Sequence, residues 1–161
     1  MWFGEIKRIL SLKGGAMKLA IAILLVLIVV TFASADILSV KNDSVEIRDS
    51  SNPYIAQVVL VVPQNYPLSV VGEEGEYYKV SDFMGREGWV NKADIESGQT
   101  VVVKVNSANI RNGPGTGHDL LFHANRGVAF KVLERKDDWL KVEHESRRIG
   151  WISRSLVWGE G

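Results

Sequence analysis

His118, Asp119, His123 and His144 are the side chains best suited to hold a metal ion or pass a proton. Zinc sites take three or four protein ligands, and many include thiolates. The chain has no cysteine, so it offers no thiolate ligand, thiol nucleophile or disulfide. His144 stands apart, flanked by Glu143 and Glu145. The spacing predicts no metal site, with these histidines in solvated loops. Serine, aspartate and glutamate are scattered without a nucleophile–base–orienter arrangement. No catalytic residue and no cofactor is therefore expected. Paired carboxylates leave no linear trace, and glycoside cleavage stays open as an alternative.

Asn112-Gly113-Pro114-Gly115 could be mistaken for a phosphate loop. It lacks the Gly-Lys-Ser/Thr ending and the strand-to-helix setting such loops require. Gly113 and Pro114 read instead as turn residues. Recognition chemistry is better served by the aromatics. In Trp139-Leu140-Lys141-Val142-Glu143 the alternation turns Leu140 and Val142 inward and Trp139 and Lys141 outward. An outward Trp139 either floors a ligand groove or packs against a loop or a neighbouring domain. Tyr77 has the same two readings. Trp89 and Trp151 each follow a glycine and are expected to be structural, adding apolar cover to a short strand. Arg48 and Arg111 recur at matching positions. Each is expected to bridge loop carbonyls, the alternative being a clamp on a ligand carboxylate.

The elements that position these residues repeat. Glu46-Ile47-Arg48-Asp49 aligns with Asn109-Ile110-Arg111-Asn112 at an offset of 63. Tyr77-Tyr78-Lys79-Val80 aligns with Trp139-Leu140-Lys141-Val142, and Gly88-Trp89-Val90 with Gly150-Trp151-Ile152, both at 62. One deleted residue reconciles the series. Short apolar segments separated by turns, with no helical stripe, predict small all-β units of five or six strands each. A short join at Ser97-Gly98 predicts that the two units touch. A chain of about 60 residues buries only about 60% of its surface alone.

Residues 19–30 form an unbroken apolar run, shorter than the roughly 20 residues of a spanning helix. Lys18 precedes it and Ala33-Ser34-Ala35 follows. This predicts a signal-peptide helix in residues 1–35, with a true start at Met17 and cleavage after Ala35. An uncleaved membrane anchor is the alternative. The expected domains are 1–35, 36–98 and 99–161. Beyond Ala35 the chain has 18 acids and 15 bases, net −3, which gives no basic footprint for nucleic acid. Residues 36–98 carry net −6 and residues 99–161 net +3, which allows attraction between domains or self-association.

The motif series Asn109-Ile110-Arg111-Asn112-Gly113-Pro114-Gly115, Gly127 to Val132, Asp138 to Val142 and Gly150-Trp151-Ile152 resembles the bacterial SH3 domain family. The first copy, residues 38–97, keeps the aliphatic positions but lacks the Gly-Pro and has Tyr77 for tryptophan. The resemblance implies two tandem SH3-like small β-barrels, all-β, after a signal-peptide helix. It further implies a non-catalytic cell-envelope module, periplasmic or secreted, recognising a peptide, peptidoglycan or a protein partner. His118 and Phe122 then fall in the long loop that walls the groove and join Trp139 and Tyr77 as contact candidates. A structural or assembly protein acting through barrel faces or sheet edges is the alternative. The five consecutive aliphatics Val58–Val62 favour it, exceeding what one inward face needs. A cell-wall hydrolase is the third reading.

Overall fold

The computed structural model describes residues 36–160. The expected signal-peptide helix and its cleavage site lie outside them, as does the apolar run. Among the described residues no helix is long and apolar enough to cross a membrane.

Asp36 to Glu160 are strands and turns, with two single-turn 3-10 segments and no α-helix among the described residues. The first sheet is built from β1 (Ile37–Val40), β2 (Val45–Arg48), β3 (Val58–Val62), β4 (Pro67–Glu74), β5 (Tyr77–Ser81), β6 (Glu87–Asn91) and β7 (Ile95–Glu96). The second is built from β8 (Thr100–Val103), β9 (Ser107–Arg111), β10 (Leu120–Asn125), β11 (Ala129–Lys136), β12 (Trp139–Glu143), β13 (Ile149–Ser153) and β14 (Val157–Trp158). Their strand orders are β3-β2-β6-β5-β4-β1-β7 and β10-β9-β13-β12-β11-β8-β14, one pattern used twice.

The expected closed barrels are not what forms. Each sheet is open, with β3 and β7 as free edges of the first and β10 and β14 of the second. The last strand of each has only two residues and pairs on one side alone. Such a stub cannot carry a ladder across to the far edge. A second difference concerns Phe122, which lies in β10 rather than in a loop. Three apolar residues in a row, Leu120-Leu121-Phe122, break the alternation because a bulge sits between Leu120 and Phe122.

The irregularities recur as well. The bulge between Ile47 and Arg48 on the β2–β3 pair leaves out Val59, and its counterpart on β9–β10 leaves out Leu121. Val71 and Leu133 are skipped in the same way between β4 and β5 and between β11 and β12. Left-handed backbone appears at Asn65 and Gly127, at Gly75 and Asp137, and at Gly85 and Arg147.

Alternation decides the cores. Leu140, Val142, Ile110, Phe130 and Ile152 are fully buried under the second sheet. Val40, Leu68, Val80 and Val90 are the corresponding centre of the first. β8 is buried on both faces. Val101 and Val103 enter the second core while Val102 enters the first, joined there by Ala129. Trp158 also packs on the first core. The two sheets therefore touch through apolar side chains, as the short join predicts. Thr100, beside Val101 on the same strand, has a buried hydroxyl with no hydrogen-bond partner.

A buried polar cluster braces the first sheet. The Asp82 carboxylate, wholly shielded from solvent, accepts from the Met84 and Arg86 backbone N–H groups at 2.9 Å each. The Arg86 guanidinium donates to it at 2.8 Å through Nε and closes a salt bridge at 2.6 Å. The Tyr66 hydroxyl lies 3.5 Å from the same carboxylate and its ring tilts against Phe83. Burial first, then the Asp82 charge, pushes the Tyr66 phenol up to about 12.

Candidate functional site

The chemistry-bearing positions converge where β6 crosses β2. Arg48 is the register partner of Trp89, and Tyr77 is the partner of Asn91. Crossing this closely demands a glycine. A Cβ on Gly88 would sit 2.5 Å from the Ile47 side chain and 2.8 Å from the Arg48 carbonyl oxygen. That constraint places Trp89, the next residue, on the outer face beside Arg48.

Above this face lies an open cavity of about 500 Å³. Tyr77 and Trp89 supply its aromatic surface, Arg48 and Glu46 its β2 wall, and Pro53 and Ala56 the loop between β2 and β3. Asn42, Asp43 and Ser44 close one end with Asn91 and Asp94. The loop is ordered by its own polar side chains. Asp49 Oδ1 accepts from the Gln57 N–H at 2.9 Å, and Asn52 Oδ1 from the Tyr54 N–H at 3.1 Å. Arg48 donates to the Ala56 carbonyl at 3.3 Å and pairs with Glu46. Tyr77 and Trp89 are half-buried, presenting ring area while their edges stay packed.

The matching place on the second sheet is built differently. Arg111 donates to the His118 carbonyl at 2.8 Å, the same loop-bridging bond that Arg48 makes. The exposed His118 folds its ring over Gly113, where a Cβ would lie 2.5 Å from Nδ1. Gly113 is buried and Pro114 half-buried in that turn. Trp151 is only 8% exposed, whereas Trp89 is half-buried. Trp139 is half-buried on the outer face beside Lys141. Phe122 carries the Arg148 guanidinium 3.7 Å from its ring centroid, a stacked cation that occupies its face. Of the four groove candidates, Tyr77 lines the cavity described above, and Trp139, His118 and Phe122 belong to the second sheet. The loop residues Pro53 and Ala56 and the acids Asp43, Glu46 and Asp94 were not legible as site residues. Only their distance from Trp89 in space marks them.

Among the described residues no three His, Asp or Glu side chains gather as a metal site. The chain has no cysteine and hence no thiol nucleophile.

The described residues form an all-β structure with an open cavity lined by Tyr77 and Trp89. Residues 104–159 match the family model of the bacterial SH3 domain. The chain is 29% identical over 66 residues to a probable cell wall amidase, LytH, of Staphylococcus epidermidis, covering 40% of this chain and 22% of that protein. It is 24% identical over 109 residues to a putative N-acetylmuramoyl-L-alanine amidase, YrvJ, of Bacillus subtilis, covering 61% of this chain and 20% of that one. The chain thus spans about a fifth of the length of these relatives. Among solved structures, NlpC1 from Trichomonas vaginalis aligns over 80% of this chain and 47% of that one, with 18% identity and a TM-score of 0.37.

Proposed function

We propose that this protein is an exported, non-catalytic module of the cell envelope that holds a cell-wall peptide in the cavity between Tyr77 and Trp89. Both sheets are read as SH3-type units, the first as well as the one matched by the family model. The carrying observation is the convergence of two half-buried aromatic rings and Arg48 on one open cavity. Such a site binds an extended peptide by ring contact, with few polar groups fixing its direction. The envelope setting is supported by the two cell-wall amidases that the chain resembles and by the leader-like run before Asp36. Trp139, with His118 and Phe122 nearby in the chain, is proposed as a second and weaker contact surface.

Pulldown on purified cell wall tests the reading. Tyr77→Ala is expected to reduce retention about tenfold, the loss of one ring contact of about 1–2 kcal/mol. Trp139→Ala is expected to reduce it less. Equal retention of wild type and Tyr77→Ala would reject the cavity.

A second reading, assembly through a sheet edge, is favoured by one observation. Val58, Val59 and Val61 on the free edge strand β3 are each about half exposed, at 45, 53 and 54%. A partner strand added there would cover them.

A further inference from the structure

The cavity on the first sheet differs from the equivalent surface of the second in charge. Asp43, Glu46 and Asp94 line it. At the corresponding positions, offset by 63, 63 and 62, the second sheet has Asn106, Asn109 and Leu156. All three carboxylates are absent from the copy whose tryptophan, Trp151, is buried. Arg48 is the one cationic side chain in the lining, and it is already engaged by Glu46 and by the Ala56 carbonyl. Asp43 and Asp94 take part in no ion pair among the described residues, and the Asp94 carboxylate accepts from the Asn42 side-chain amide at 2.7 Å. The cavity therefore holds two aromatic faces and a net formal charge of −2. Residues 36–98 as a whole carry net −6, so the long-range field also draws cations toward this side.

An anionic peptide is repelled by such a lining. A primary ammonium suits it, because the carboxylates attract the charge and the π faces of Tyr77 and Trp89 accept its N–H-bearing side. We infer that the cavity selects peptides by a free primary ammonium group. This rests on the cavity being the peptide site and names what that site recognises. The ammonium can be a peptide's α-amine or the ε-amine of a diamino side chain.

The test uses the full chain and titration calorimetry with the tripeptide Ala-Glu-Lys. Three modified forms accompany it: acetylated at the N-terminus, acetylated on the lysine side chain, and acetylated at both. The free tripeptide is expected to bind at least about tenfold more tightly than the doubly acetylated one. The advantage should shrink at high salt. Whichever single acetylation costs more identifies the amine that is read. The Asp43→Asn/Asp94→Asn double variant is expected to weaken the free tripeptide about tenfold, to bind the doubly acetylated form no more weakly than wild type does, and to melt as wild type does. Equal affinity for free and doubly acetylated peptides, with Tyr77→Ala weakening both, overturns the ammonium reading and leaves the cavity standing. If Tyr77→Ala weakens neither, or no form binds at millimolar concentration, the cavity itself is rejected and this inference with it.

Discussion

Asp82 is a single carboxylate on which a whole hairpin is hung. It takes two backbone N–H groups and both reachable nitrogens of Arg86. Removing it leaves the Met84 and Arg86 N–H groups and the Arg86 guanidinium without the carboxylate that gathers them. Asp82→Ala is expected to cost about 2–3 kcal/mol, read as a lower denaturation midpoint at unchanged slope. Tyr66 responds to pH instead. Its phenol ionises near 10 when exposed and near 12 in the folded chain. Between those values the unfolded chain gives up the proton while the folded chain keeps it. Stability from this group is thus whole below pH 10 and is lost as pH climbs through the folded value. Tyr66→Phe should flatten the alkaline decline between pH 10 and 12 in chemical denaturation. Identical slopes in the two proteins would show the phenol is not held protonated.

The elements carry strain at a few turns and exposure at one edge. Arg147 occupies the left-handed backbone position that Gly85 fills in the first sheet. A non-glycine residue there costs roughly 1 kcal/mol. Arg147→Gly is expected to be neutral or to stabilise by a few tenths of a kcal/mol, because the relief is partly offset by glycine's larger unfolded-state entropy and by the lost Glu143 contact. On the free edge, a lysine at Val61 should suppress aggregation at high concentration without lowering the melting temperature, since that side chain already faces water. Light scattering on heating compares Val61→Lys with wild type, and equal onset would remove the edge as the sticky element.

Element by element, the sequence was readable where a strand keeps strict alternation. Leu140 and Val142 declare their face, and Trp139 and Lys141 declare the other. It was unreadable at the bulges. An extra residue at Leu121 or Val59 shifts the every-other-residue pattern, so β10 looked like a loop. Whether a sheet closes on itself depends on the reach of its last strand, and two residues at Ile95–Glu96 leave no periodic trace. The cavity was legible only in part. Tyr77 and Arg48 stood out by type, but Trp151 is buried where Trp89 is only half-buried, and nothing in the repeated Gly-Trp motif separates the two. That is a tertiary outcome.

At the scale of the whole molecule, the two sheets share side chains and should unfold together. Val102 belongs to the second sheet and is buried in the first core. Val102→Ala removes two methyl groups at that junction and is expected to cost about 2 kcal/mol. Signals from Trp89 and Trp151, followed separately, should both shift by the same amount. A shift confined to one would mean the halves melt independently. Thr100→Val tests the same junction in the opposite direction. Replacing a hydroxyl that has no partner with an equally sized methyl should raise stability by about 1 kcal/mol.

β8 has no outside. A party wall between two rooms cannot be taken down for one tenant, and Thr100–Val103 stands in that position. Severing the chain at Gly98 would strand Val102 and Ala129 of the latter portion in water and leave a matching hollow in the former. Amide protons along this short segment should be among the slowest in the protein to trade with deuterium, outlasting those of either free edge.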